Sequence, residues 1–296
     1  MSIQHLKEAV PSRKSSGYTI FPLVIYSPQP VDEIYFIPYH WHEEIEIIYI
    51  ETGEFIIHIN GIAHHAKSGD IFFINSAEIH QIAALTKISS HHAMVFDPKI
   101  IRFEWHDPSS QKYITPLIKG RVRYPTHIND HTKVKAAIGH EIKEAANAFH
   151  QGSASWAIVA KASLLKMIAL LINDDLMINI DSKEDKDNEK AIIAKTIMTY
   201  IQENYMNKIT LDELATLANM STPYFCKFFK SMFDKTAVEY MNEYRIEKAC
   251  LLLTQTDDKI IDIAFLIGFD NFSYFIRKFK QLKGLTPSAY RENGKG

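Results

Sequence analysis

An internal repeat constrains the fold of this chain more than any other feature. Thr210–Lys230 reads TLDELATLANMSTPYFCKFFK, and Lys259–Arg291 reads KIIDIAFLIGFDNFSYFIRKFKQLKGLTPSAYR. The stretches are in register: Leu214-Ala215 answers to Ile263-Ala264, Phe229-Lys230 to Phe279-Lys280, and Tyr240 to Tyr290. A period of roughly 50 residues predicts two copies of one supersecondary unit.

Each copy reads as two short helices joined by a turn. In the second, Ile260, Ile263, Ala264 and Ile267 recur at helical spacing and mark an amphipathic helix. Gly268 breaks it, and Asp270 is placed to cap the next helix. That helix buries Phe275 and Phe279 and carries Phe272, Ser273, Ile276, Arg277 and Lys280 on its opposite face. Thr286-Pro287 opens a last helix. In the first copy, Thr210 and Glu213 form a capping box, and Leu211, Leu214, Ala215 and Ala218 give the buried stripe. Asn219 supports the turn, Ser221 caps the second helix, and Phe225 and Phe229 bury it. Two helices about a tight turn, the second with a basic face, make a helix-turn-helix pattern. Between the copies, Ala237–Leu253 has helical periodicity.

The order Ile263-Ala264, Gly268-Phe269, Tyr274-Phe275, Phe279-Lys280, Gly284, Thr286-Pro287, Tyr290-Arg291 resembles the DNA-binding domain of AraC/XylS-type transcription regulators. The resemblance runs from about residue 191 to 291, a third of the chain. The first copy departs from the pattern: Asp234 stands where Gly is expected and Ala237 where Pro is. Both departures bear on turn geometry and leave the reading face alone. Arg245 and Arg291 sit where that family often has an arginine, and structural pairing is expected for both.

A chain of 296 residues suits two domains. Two cysteines, Cys226 and Cys250, imply no disulfide framework. No run looks apolar for long enough to cross a bilayer, and MSIQHLKEAV lacks a signal-peptide core, so a cytoplasmic location is expected. The net charge of −2 argues against nucleic acid until it is divided. Residues 191–296 hold 14 Lys and Arg against 12 Asp and Glu, and residues 1–190 hold 19 against 23. The small basic excess lies in the repeat-bearing part. It predicts few phosphate contacts and modest non-specific affinity.

Residues 1–17 read as a polar tail, which in some members of the resembled family folds over a ligand pocket. From Tyr18 to about Asp97 the text is strand-like, with Asn60-Gly61 a hairpin signal and Gly69-Asp70 another turn. Many short strands with regular turns suggest a sandwich or barrel. Residues 98–127 are broken by four prolines and read as loops with short pieces of structure. Val134–Phe149 and Ser155–Ile172 read as helices that pack on the barrel, and in the resembled family one of them often pairs with its twin in a dimer. Charged, polar text toward Lys190 makes 173–190 a flexible linker. The expected division is a tail over 1–17, a cupin-like ligand-sensing and dimerisation domain over 18–172, a linker over 173–190, and a DNA-binding domain over 191–296. The fold class is α+β, a cupin-like β-barrel with packed helices followed by an all-α domain with two helix-turn-helix motifs.

Within the barrel, His40, His42, Glu46 and Gly53 follow H-x-H-x3-E-x6-G, with Gly69 and His80 further on. Residues 40, 42 and 46 share parity, so on one strand they would face one side. Three imidazoles and a carboxylate can bind a divalent metal. The pattern resembles the first cupin motif, and the second loosely: Asn75 stands in its Pro place and Ala77 in its Gly place, and the Gly before the first His is absent. AraC-type sensor domains resemble cupins but usually hold a small organic ligand without a metal, so the resemblance implies no cofactor. It implies instead that His40, His42, Glu46, His80 and Tyr39 line a ligand pocket. Tyr18, Tyr35, Tyr39 and Trp41 are compatible with stacking on a sugar ring and equally with an ordinary core. His64-His65 and His91-His92 point to opposite faces pairwise and read as surface or rim residues.

A recognition helix reads base edges in the major groove, and two such helices on one rigid spacer can enter successive grooves about 34 Å apart. Arg277 is the expected base reader, since arginine pairs bidentately with guanine. Ser273 can donate or accept, Phe272 and Ile276 can touch thymine methyls, and Asn271 and Lys280 suit phosphates. In the first motif Thr222, Pro223, Cys226 and Lys227 share the exposed face, with Lys230 at its edge. The expected partners are double-stranded DNA, a small-molecule effector, a second copy of the chain and RNA polymerase, with no membrane. The reading is a sequence-specific regulator, an activator, answering to a small molecule such as a sugar. The alternative is a cupin-type metalloenzyme with a helical appendage, supported only by His40, His42, Glu46 and His80.

Overall fold

The computed structural model describes residues 21–28, 35–103, 107–128, 132–180 and 185–293. The expected tail and Tyr18 lie outside them. The chain divides into two compact units, the first ending at Asp187 and the second beginning at Asn188.

The first unit holds β1 (Leu23–Tyr26), β2 (Phe36–His40), β3 (Ile45–Thr52), β4 (Glu54–Ile59), β5 (Ile62–Lys67), β6 (Ile71–Ile74), β7 (His80–Ala84) and β8 (Ser90–Phe96). They form two four-stranded sheets of order β1-β8-β3-β6 and β2-β7-β4-β5. Every pairing within them is antiparallel. The Asn60-Gly61 turn joins β4 to β5 as expected, with both residues at positive φ.

Alternation along the strands decides which residues meet which layer. Leu23 and Ile25, Ile45 and Ile47, Ile71 and Phe73, and Met94 and Phe96 turn one face of the first sheet to a core shared with two helices, α2 (Thr132–His150) and α3 (Trp156–Asn173). Between β8 and α2 lie a 3₁₀ turn (Pro98–Ile101), a π turn (Ser110–Ile114), a single helical turn α1 (Thr115–Ile118) and strand β9 (Val122–Arg123). The other face of the sheet carries Glu46, whose cross-strand neighbours are Ile74 and Val95, and His91, opposite Ile50.

Helix α3 corrects one expectation. By length and composition it is long and apolar enough to cross a membrane. Yet Ala160, Leu164, Met167, Ile168 and Leu171 are buried in the core it shares with the sheet. A helix covered on a broad face by its own protein reads like a membrane span.

The expected linker over 173–190 is also revised. Leu176 and Met177 pack on the first unit's core, and strand β10 (Ile178–Asn179) pairs antiparallel with β9. Helix α4 (Asp185–Asn204) then begins inside the charged text. Glu and Lys are good helix formers, so a highly charged stretch does not exclude a helix.

The second unit continues with α5 (Leu211–Leu217), α6 (Thr222–Phe233), α7 (Ala237–Gln255), α8 (Ile260–Leu266), α9 (Phe272–Lys283) and α10 (Pro287–Asn293). The Thr210/Glu213 capping box forms, and Thr236/Glu239 forms a second at the start of α7. Ser221 occupies the N-cap of α6 without a side-chain cap bond. Asp270 does not cap α9: Asn271 does, accepting from the Tyr274 amide at 2.8 Å.

The repeat is visible in backbone angles. The α5–α6 turn has Asn219 at φ 53° where the α8–α9 turn has Gly268 at φ 88°. Helix α6 ends on Asp234 at φ 52°, and α9 on Gly284 at φ 72°. Asp234 thus takes the left-handed conformation although it lacks glycine's freedom.

Helix α7 ties the copies together. Its Tyr240 packs on Phe229 and Phe233 of α6, while Ile246, Ala249, Cys250 and Leu253 share a core with Ile263, Ala264, Phe275 and Phe279. Lys283 of α9 bonds Glu247 of α7 at 2.5 Å. The structural pairing expected of both arginines is with backbone. Arg245 donates to the carbonyls of Tyr205 and Asn207, just before α5, and Arg291 to those of Leu253, in the last turns of α7, and Asp258, just before α8.

Candidate functional site

Helix α6 buries Phe225, Phe228, Phe229 and Phe233, helix α9 buries Phe275 and Phe279, and each turns a polar face outward. In α6, Phe225 and Phe229 are buried, Pro223, Cys226, Lys227 and Lys230 are exposed, and Thr222 is half-buried. The Thr222 hydroxyl donates to Asp212 at 2.6 Å, locking the start of α6 to α5. In α9, Asn271, Ser273, Arg277 and Lys280 are exposed, while Phe272 and Ile276 are half-buried against the core beneath. The Arg277 guanidinium lies over the Tyr274 ring, 5.3 Å from its centroid. That stacking leaves the planar fork of donors available at the surface. The Tyr274 hydroxyl is in turn held by Asn242 of α7 at 3.1 Å.

The barrel cluster is also brought together, by a different route from the one parity suggested. His40 ends β2, His42 lies in the connector to the opposite sheet, Glu46 lies in β3 and His80 starts β7. They converge because the chain crosses between sheets, not because they share a strand. His80 is fully buried and Glu46 is 5% exposed. The Nε2 atoms of His42 and His80 lie 3.3 and 3.1 Å from Glu46 Oε2. The His40 and His80 rings are 4.0 Å apart, centroid to centroid. One potential ligand atom from each residue falls within 4.8 Å of all the others. The connector is pinned by the Ala77 amide, which donates to the His42 carbonyl at 2.8 Å. Ala77 holds φ 64° where the resembled motif has glycine.

Electrostatics separates His40 from His42. Burial, with His80 alongside, depresses His40 to about 3. For His42 burial works against the charge, but the hydrogen bond and charge of Glu46 outweigh it and raise the pKa. Burial likewise opposes ionisation of Glu46, yet hydrogen bonds from His42 and His80 hold it well below the carboxylate range.

Tyr39 is placed elsewhere, its ring 5.7 Å from that of His58 on β4. Of the paired histidines, His65 is exposed beside Glu54 and His64 is half-buried beside Phe72. His92 is half-buried and bonded to Ser27. His91 corrects its expectation. It is 2% exposed, on the same face of the sheet as Glu46, between the rings of Tyr35 and Phe55. Its Nδ1 and the Tyr26 hydroxyl are buried without a hydrogen-bond partner among the described residues. Burial depresses His91 to about 4 and, with the charge of Glu46, raises both Tyr26 and Tyr35. Parity with Glu46 across paired strands is the signal that would have found His91.

A family model for an AraC-like ligand binding domain matches residues 24–161, and one for a helix-turn-helix domain matches residues 214–293. The Tn10 TetD protein of Escherichia coli is 31% identical over 115 residues, covering 39% of this chain and 83% of TetD. This chain belongs to the AraC family of DNA-binding transcription regulators. Similarity to AraC-family relatives extends over both units. The HTH-type transcriptional regulator YdeC of Bacillus subtilis is 27% identical over 257 residues, 87% of each chain. The melibiose operon regulatory protein of Escherichia coli is 24% identical over 287 residues, 92% of this chain and 91% of that one. An AraC-family chain with a ligand-binding domain accounts for both the paired helix-turn-helix units and a barrel with polar groups inside it.

Proposed function

We propose that this AraC-family regulator reads paired DNA sites with α6 and α9 and answers to a small molecule held in the barrel. The observation that carries the reading is the repetition of α5–α6 and α8–α9 about the single helix α7, with a cationic outer face on each second helix. In α9, Arg277 reads a guanine, Ser273, Phe272 and Ile276 add base contacts, and Lys280 meets a phosphate. Asn271 spends its side-chain oxygen on the cap, so its contact to phosphate runs through the amide nitrogen. In α6, Lys227 and Lys230 supply charge, while Thr222, Pro223 and Cys226 give apolar and close-packing contacts.

The effector lies inside the barrel against His40, His42, Glu46 and His80. The buried, unpartnered Nδ1 of His91 and hydroxyl of Tyr26 add polar groups suited to a hydroxylated ligand. A relative named for the melibiose operon makes sugars the first class to test. The chain acts as an activator, as a homodimer with RNA polymerase as a partner, and works in the cytoplasm without catalysing a reaction. Effector binding shifts the population of arrangements that engage paired sites.

Titrating the full chain onto DNA upstream of its neighbouring genes, with and without a panel of sugars, tests this. A sugar that changes affinity at least fivefold supports the reading. Affinity unmoved by every member of the panel removes the sugar, and absence of sequence-dependent binding removes the assignment of α6 and α9.

A further inference from the structure

The stretch Asn75–His80, between β6 and β7, touches both the polar cluster of the barrel and the segment that leads out of the first unit. Toward the cluster, the Ala77 amide donates to the His42 carbonyl at 2.8 Å, and the Glu78 carbonyl lies 2.9 Å from His80 Nδ1. A carbonyl only accepts, so His80 is the donor in that contact. His42 and His80 are also the two rings that bond Glu46. Within the turn, the Glu78 carboxylate accepts from the Asn75 amide at 2.7 Å.

On its other side the turn holds Tyr124. The Asn75 side chain accepts from the Tyr124 amide at 2.9 Å and donates to the Tyr124 carbonyl at 3.2 Å. A side-chain amide that pairs both ways with one residue's backbone stands in for a neighbouring strand. It prolongs the contacts that β6 makes with the same segment, where Ile128 donates to the Ile71 carbonyl and Phe73 to that of Thr126. Tyr124 directly follows β9, whose Arg123 and Val122 pair with Ile178 and Asn179 of β10. Strand β10 is the last strand before α4, which carries the chain into the second unit. Asn75 stands where the resembled cupin motif has proline. Proline would offer neither the amide that Glu78 accepts nor a side chain able to hold Tyr124.

We propose that the Asn75–His80 turn passes the state of the barrel cluster to β10, with Asn75 as the positioning residue. The inference rests on the reading of the barrel as the sensor's binding site. Two states follow. In one, Asn75 clamps Tyr124 and β10 stays paired; in the other, the clamp opens and β10 is released. Paired strands of two residues have little stability of their own, so the hold on Tyr124 sets how often β10 lets go. An effector that moves His42 or His80 pulls on the turn through its two backbone contacts and shifts that population. Release lengthens the tether between the units, which changes how two DNA-binding units can be placed on paired sites.

The test uses the full chain and needs no identified effector. Glu46→Gln perturbs the cluster from the side away from the turn. Hydrogen exchange read by mass spectrometry over 121–126 and 176–182 is expected to change at least about fivefold in that variant. Asn75→Ala removes both bonds to Tyr124 and should speed exchange there roughly tenfold, with β3 and β8 as protected as in the native chain. In the double variant, Glu46→Gln should add nothing. Additive effects would mean two unrelated structural losses and would overturn the coupling, as would a β10 indifferent to Glu46→Gln. Circular dichroism checks folding. His42→Gln replaces Glu46→Gln, and Asn75→Asp replaces Asn75→Ala, where the first choice fails to fold; Asn75→Asp keeps the acceptor for the Tyr124 amide and loses the donor.

The sugar panel then separates this inference from the sensor reading. A sugar that moves the DNA affinity of Asn75→Ala as far as that of the native chain overturns the coupling and leaves the sensor intact. A panel without effect on the native chain, alongside non-additive exchange, removes the sugar and supports the coupling.

Discussion

A β-carbon on Gly268 would lie 2.5 Å from the carbonyl oxygen of Tyr205. The same carbon would sit 2.9 Å from the Met206 carbonyl and 3.0 Å from the Arg245 guanidinium. The turn between α8 and α9 is therefore pressed against the end of α4, where Arg245 also grips the backbone. Gly268→Ala must displace backbone and hold a positive φ. A loss of about 2–4 kcal/mol follows from the left-handed cost together with overpacking. Urea denaturation of the full chain measures it, and a loss under about 0.5 kcal/mol would mean that this contact is not tight.

Asp234 and Ala77 predict the opposite sign. Both occupy left-handed backbone, φ 52° and 64°, at positions where the repeat or the resembled motif places glycine. Glycine relieves the strain at the cost of a more flexible unfolded chain. Asp234→Gly and Ala77→Gly should each raise stability by about 0.5–1 kcal/mol, read as a higher Tm. The Asp234 change should leave DNA affinity unaltered, because the residue caps α6 away from its outer face.

Arg277 and Lys280 should separate when mutated. Arg277→Ala is expected to cost about 1–3 kcal/mol of specific binding and to relax preference at one base pair. Lys280→Ala should weaken all sequences alike and lower the salt slope by about one. Fluorescence anisotropy over a salt series, with the operator and point variants of it, distinguishes the two. Equal losses on specific and random DNA for Arg277→Ala would remove its role as a base reader.

Much of this was legible because it depends on local pattern. The register of Leu214-Ala215 with Ile263-Ala264 located both helix pairs, since a buried stripe at helical spacing needs no tertiary information. The helix cap moved by one residue, from Asp270 to Asn271, because two adjacent capping side chains compete and only the fold decides between them. Parity suggested one shared face for His40, His42 and Glu46. They meet because β2 and β3 belong to different sheets, which residue spacing does not encode. His91 was misplaced at the rim for a related reason: alternation says that one of His91 and His92 faces inward, but not which one. No run of the sequence looked apolar for long enough to cross a membrane, yet α3 meets that test by length and composition, and it does so as a helix whose apolar face packs on its own protein's core.

His91 supplies the pH prediction. Burial lowers its pKa to about 4 from an ordinary value near 6.5, so the folded barrel holds it neutral. An unfolded chain takes up the proton first as pH falls. The stability His91 confers by staying neutral is complete above about pH 6.5 and is lost progressively down to about pH 4. Over that window the loss is on the order of 3 kcal/mol, set by the size of the shift. His91→Phe keeps a ring between Tyr35 and Phe55 and removes the titration. Its stability should match the native chain near pH 7 and exceed it near pH 4.5. Thermal unfolding across that range, at constant ionic strength, provides the comparison. Parallel curves for the two proteins would mean that His91 is already neutral in the unfolded chain or protonated in the folded one.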